Sequence, residues 1–93
     1  SDLREKEIEK YLIQEVEKIG GLCKKWVSPG SSGEPDRIVI LPWNRIYFVE
    51  LKAPEGELSP IQEYRIEELK NLGVRVRVLS SKKLVDWFIS EVS

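Results

Sequence analysis

Three charged residues stand in or beside apolar runs, where charge is expensive. Glu50 and Lys52 lie in the stretch FVELKAP, Phe48 to Pro54, two positions apart. In a strand, both side chains therefore leave the same face. Asp36 follows the turn Gly33-Glu34-Pro35 and stands fourteen residues ahead of Glu50. Burying a charge is costly unless it is paired or coordinates a metal. The β-rich runs Arg37 to Leu41 and Ile46 to Leu51 are joined by Pro42-Trp43-Asn44-Arg45, which reads as a hairpin connection. With Pro42 opposite Arg45, Asp36 falls opposite Leu51 or its neighbours. Asp36 and Glu50 then meet at one end of the hairpin, with Lys52 beside them. Two carboxylates that close repel, and one is driven protonated. A divalent cation removes the conflict.

The rest of the chain narrows the chemistry. There is no histidine, and Cys23 is the one cysteine. This excludes an intramolecular disulfide, a zinc site built on Cys and His, and Ser-His-Asp catalysis. The remaining donors are hard oxygens, which suit Mg2+ or Mn2+. A lysine within reach stabilises a nucleophilic hydroxide or the charge on a transferring phosphate. These are the groups that phosphodiester hydrolysis without histidine needs. Alone, a Glu-x-Lys pair on a strand is ordinarily solvated, and an Asp after Gly-x-Pro ordinarily serves its turn. The joint occurrence of the two is what points to a site.

The elements that must position these residues are legible. A chain of 93 residues fits a single domain, 1–93, with a limited core. Residues 3–19 read as an amphipathic helix: at roughly 100° per residue, Ile8, Leu12, Ile13, Val16 and Ile19 share one arc. Gly20-Gly21 ends it. Leu22 to Val27 alternates loosely, as a strand does, and residues 28–35 form a turn-rich loop. After the hairpin, Ala53 to Leu58 is a loop. Ser59 caps a helix that has Pro60 in its first turn and runs to Leu72, where Gly73 stops it. Val74 to Leu79 is a half-buried strand, and Ser80 or Ser81 caps a last helix through Glu91. The order is αβββαβα, an α/β protein.

At this point a resemblance enters. Pro35-Asp36 followed by Glu50-Leu51-Lys52 resembles the PD-(D/E)xK nuclease signature. More narrowly, GEPDRIVI and FVELKAP are similar to the VRR-NUC family, whose members share a G-x-P-D turn, an E-x-K strand and a following helix with a glutamine. The likeness runs from the first helix to about Leu79. It implies a restriction-endonuclease-like core, αβββαβ(α), with a central mixed sheet flanked by helices. It implies a metal-dependent phosphodiesterase acting on DNA, with Asp36 and Glu50 as metal ligands, the Leu51 carbonyl as a further ligand and Lys52 as the catalytic lysine.

The family also expects a glutamate from the first helix. Glu5 and Glu9 both fall inside the apolar arc, where unpaired glutamates are rare. Glu9 is preferred because its spacing to the following Leu-Ile pair and to the terminal glycine is similar to that in archaeal Holliday-junction resolvases. Glu5 is the reserve. Gln62 has two readings: with Ser59 it forms a capping box, and it also falls on the inward arc where the family places an active-site glutamine. Arg65 shares that arc and either faces a substrate phosphate or snorkels. The candidates for nucleic-acid contact are Lys24, Lys25, Trp26 and the 28–34 loop with Ser31 and Ser32.

The expected partners are DNA, with branched or junction DNA favoured, and a second copy of the chain. The stand-alone relatives resemble junction resolvases, which act as symmetric dimers, and Trp43, Trp87 and Phe88 offer large apolar surface. The net charge of −1 gives no global basic signature for nucleic acid. No run approaches the about 18 apolar residues of a membrane span, and no signal-peptide core is visible. The expected setting is the cytoplasm of a bacterium or, for a viral chain, of its host. Three alternatives stay open: a catalytically idle nucleic-acid-binding module, a plain interaction domain whose matching residues are coincidence, and a flap or single-strand nuclease.

Overall fold

Ile8, Leu12 and Val16 recur every fourth residue, and each is buried. That spacing sets one face of helix α1 (Leu3–Lys18) against the rest of the protein. The helix closes one residue earlier than its apolar pattern, because the Gly20 and Gly21 amides turn back onto the Glu17 and Val16 carbonyls. Then follow β1 (Leu22–Lys25), β2 (Arg37–Leu41), β3 (Arg45–Leu51), α2 (Pro60–Asn71), β4 (Val76–Leu79) and α3 (Lys82–Val92). The computed structural model describes residues 3–93; Ser1 and Asp2, the first two positions of the expected 1–93 unit, lie outside the described residues.

The strands form one sheet in the order β1-β2-β3-β4. The first three pair antiparallel, while β4 lies parallel to β3 after the α2 crossover. The sheet is mixed and flanked by helices, as expected. Two local details differ. First, β4 starts at Val76 rather than Val74, because the Val74 amide donates to the Leu69 carbonyl at 3.0 Å and so finishes α2. Second, the hairpin pairs Leu41 with Arg45, not Pro42 with Arg45. Proline has no N–H for a ladder, so Pro42 joins the connection, and Trp43 and Asn44 take positive φ values of 68° and 60°. The ladder therefore shifts by one position.

Strand alternation gives the sheet two unlike faces. Tyr47, Val49 and Leu51 of β3 join Val39, Leu41 and Leu79 in a core closed by Ile8, Leu12 and Val16 from α1 and by Val85, Phe88 and Val92 from α3. Phe88 is fully buried and meets Tyr47 edge-on at 5.2 Å. It therefore adds nothing to an exposed patch with Trp43 and Trp87, contrary to the sequence expectation. Trp43 and Trp87 are exposed. The opposite face carries Ile46, Phe48 and Glu50. There Leu22, Ile40 and Ile46 line up across three strands and stay partly exposed.

Candidate active site

Glu50 sits on a central strand, between Val78 of β4 and the end of β2. Its residue exposure is only 2%. One carboxylate oxygen, Oε2, accepts from Gln62 Nε2 at 3.0 Å and lies 3.7 Å from Lys52 Nζ. The other, Oε1, is buried and has no hydrogen-bond partner among the described residues. Burial first, and then the charge of Asp36, push the Glu50 carboxyl from 4.5 up to about 7; Lys52 pulls the other way, and Glu5 adds to the rise.

Asp36 comes to Glu50 through the shifted hairpin. The ladder pairs Arg37 with Val49, so the next position outward sets Asp36 opposite Glu50. The sequence-derived register had set it opposite Leu51 or its neighbours, and the structure selects the neighbour Glu50. The shift matters because a one-residue slip moves a side chain to the other face. Asp36 is tied down at two points: Oδ2 accepts the Leu51 N–H at 3.0 Å, and its own carbonyl accepts the Trp26 N–H at 2.9 Å.

Gln62 fulfils both of its sequence readings, with opposite ends of one amide. Its Oε1 accepts from the Ser59 N–H at 2.9 Å while the Ser59 hydroxyl accepts from the Gln62 N–H, which completes the capping box of α2. The cap thereby fixes which way the amide faces. With the oxygen committed to Ser59, only the NH2 end is left to meet Glu50.

The loop ahead of Asp36 is packed onto the first turn of α2. Gly33 has φ +81°, and a Cβ there would stand 2.9 Å from the Ile61 carbonyl oxygen, so only glycine allows this approach. Arg65 Nε donates to the Ser32 carbonyl at 3.2 Å, and its guanidinium also meets Glu68 at 3.2 Å. Ser31 Oγ donates to Glu34 Oε2 at 2.8 Å. Arg65 and Ser31 are thus engaged in holding the loop, a role the sequence did not reveal. Lys24 and Lys25 are exposed on edge strand β1.

The two glutamates of α1 part company. Glu9 forms an ion pair with Arg37 at 2.9 Å. Glu5, about one turn nearer the N-terminus, is the one whose charge acts on Glu50. The Glu9–Arg37 pair escaped sequence reasoning because the partners are 28 positions apart and no local pattern links them.

A buried carboxylate oxygen without a donor, beside a second carboxylate, fits a hard cation. Among the described residues, no group of three Asp, Glu or Cys side chains could hold a metal ion. The donor set is therefore two carboxylates, and Mg2+ commonly takes one or two and keeps several waters.

Known proteins show the same arrangement of chain. The VRR-NUC domain model matches residues 3–83. A phage protein named "Putative nuclease p44", from Acyrthosiphon pisum secondary endosymbiont phage 1, is 50% identical over 82 residues, which is 88% of each chain. A solved VRR-NUC domain superposes with a TM-score of 0.88 at 38% identity, covering 94% of this chain and 95% of that one. The fold is thus restriction-endonuclease-like.

Proposed function

This chain belongs to the VRR-NUC domain family, and we propose that it is a deoxyribonuclease that hydrolyses phosphodiester bonds with Mg2+ or Mn2+ held by Asp36 and Glu50. The observation that carries this reading is the orphaned Glu50 Oε1, buried beside Asp36 with its partner oxygen already bound to Gln62. The Leu51 carbonyl is the third protein ligand in this proposal. When bound, the cation supplies Lewis-acid polarisation of the phosphate and a water of lowered pKa.

The protein's own groups do the rest. Gln62 orients the Glu50 carboxylate and keeps one of its oxygens occupied. Lys52, largely shielded and close to Glu50, brings a positive charge to the oxygens that gather charge as phosphorus is attacked. We assign the helix carboxylate to Glu5, because its field reaches Glu50 while Glu9 is committed to Arg37. Lys24, Lys25 and the backbone amides of the 28–34 loop contact the DNA phosphates.

Within this reading, we favour a structure-selective endonuclease that works as a two-fold dimer on a branched junction. The partly exposed row of Leu22, Ile40 and Ile46 supports an isologous contact. The deciding experiment offers junction, flap, duplex and single-stranded DNA with Mg2+, Mn2+ or neither, alongside sedimentation with and without junction DNA. Cleavage that requires the cation supports the proposal. Binding without cleavage, and no heat on Mn2+ titration, would favour an idle nucleic-acid-binding module. A monomer mass that junction DNA does not change would remove the dimer.

A further inference from the structure

We infer that Trp26 is a base-stacking platform of this site, so that the DNA acted on carries an unpaired base beside the bond that is cut. This rests on the deoxyribonuclease reading and narrows its substrate class.

The first argument is position. The β1–β2 ladder pairs Lys25 with Arg37, and the Trp26 N–H continues it by donating to the Asp36 carbonyl at 2.9 Å. Asp36 in turn continues the β2–β3 ladder opposite Glu50. Trp26, Asp36 and Glu50 thus fall in one row across three neighbouring strands. Side chains in such a row leave the same face of a sheet. Strands are about 4.8 Å apart, so the indole is rooted about 5 Å from the Asp36 backbone and about 10 Å from that of Glu50.

The second argument is the state of the ring. Phe48, on the same face, braces Trp26 in a T-shaped contact at 5.1 Å and 86°. The residue nevertheless remains 39% exposed. A braced, half-open aromatic loses little freedom when a base stacks on it. The other two tryptophans are placed elsewhere, Trp43 at the hairpin tip and Trp87 on α3.

The third argument is charge. Lys24 stands two residues before Trp26, in the same cross-strand row as Phe48, so its side chain leaves the same face; it is exposed and not ion-paired with a described residue. A cation beside an open aromatic is the arrangement that holds single-stranded DNA, where a phosphate meets the charge and a base meets the ring. A fully paired duplex keeps its base faces stacked on one another and offers the indole nothing. An unpaired nucleotide at a flap, a gap or an opened branch point offers one.

The test reads binding by fluorescence, separately from cleavage. In a full-length chain carrying Trp43→Phe and Trp87→Phe, Trp26 is the remaining tryptophan. Adding Glu50→Gln blocks the proposed chemistry and relieves the acidic repulsion, so no cation is needed. Oligothymidylate should quench Trp26 emission, and blunt duplex at equal concentration should leave it unchanged. In the otherwise native chain, Trp26→Ala should weaken oligothymidylate binding by about 5- to 150-fold and leave duplex binding unaltered. Trp26→Phe, which keeps a ring against Phe48, should retain most of the affinity. Absent quenching, equal quenching by duplex, or equal weakening on both DNAs would overturn the inference. Selective quenching, together with no cleavage of any DNA by the chain that keeps Glu50 and is given Mg2+ or Mn2+, would keep Trp26 as a stacking residue while removing the nuclease reading.

Discussion

On the face covered by α1 and α3, β3 presents Tyr47, Val49 and Leu51, and each is buried among apolar side chains. On the other face the same strand presents Ile46, Phe48 and Glu50, and only part of that surface is covered. The dry face has closed its packing and holds the fold. The α2 face buries a carboxylate and leaves one of its oxygens without a donor. A buried oxygen left without a donor costs stability, and in the proposed reading a bound cation would engage it. On that reading, fold and chemistry fall on opposite sides of a single strand, and substitutions on the two sides should separate them.

The largest effect should come from the acidic pair. Asp36→Asn and Glu50→Gln should each abolish cleavage, a loss well beyond the roughly 10- to 100-fold that outer partners of a metal site cost. Each keeps the shape and removes a ligand charge. Thermal melting of the metal-free variants should show stability unchanged or raised, because repulsion is relieved. Cleavage at the native rate in either variant would dissolve the distinction between the faces.

The reverse experiment is Phe88→Ala on the dry face. It should cost about 3–5 kcal/mol in denaturant unfolding, as large aromatic truncations in cores do. Cleavage by the fraction that remains folded should be nearly native. A variant that unfolds normally but cannot cut would show that the two faces are coupled after all.

Acidity sharpens the contrast. The folded Glu50 carboxyl titrates at about 7 against 4.5 ordinarily, raised first by burial and then by Asp36. The folded state therefore holds a proton that the unfolded chain has released. Between those two values stability falls as pH rises, by roughly 3 kcal/mol in all. Unfolding curves of the metal-free protein across this window should show the slope, and Glu50→Gln should flatten it. Saturating Mg2+ or Mn2+ should offset the loss at neutral pH. A metal-free protein equally stable on both sides of the window would mean that Glu50 is solvated.

The smallest contrast lies within one side chain. Ser59→Ala removes the cap and should cost about 1 kcal/mol of stability, with modest change in cleavage. Gln62→Ala removes the same capping box and also the donor to Glu50. It should add a loss of about 10- to 100-fold in cleavage. Equal activities for the two variants would leave Gln62 a capping residue alone.

The sequence by itself determined the elements and their order, because these follow from local physics. Apolar spacing in 3–19, the Ser59-Pro60 start, the Gly73 stop and the β-rich runs around Pro42 each act within a few residues. It also determined that Asp36, Glu50 and Lys52 share one end of a hairpin, since a short connection leaves the two strands little choice of partner. The last step of register was not local. Pro42 joined the connection rather than the ladder, and this chose Glu50 from among Leu51 and its neighbours as the residue opposite Asp36.

Tertiary structure alone decided three further matters. It buried Phe88 against Tyr47, so the aromatic pair on the last helix was never one surface. It paired Glu9 with Arg37 at 2.9 Å, a contact set by how α1 lies across the sheet. It also set Trp26 in the row of Asp36 and Glu50, through a ladder bond between segments that the 28–35 loop separates. Helical and strand periods fix which face of its own element a side chain takes. Which partner stands opposite that face depends on the docking of whole elements, and no spacing within one element encodes it.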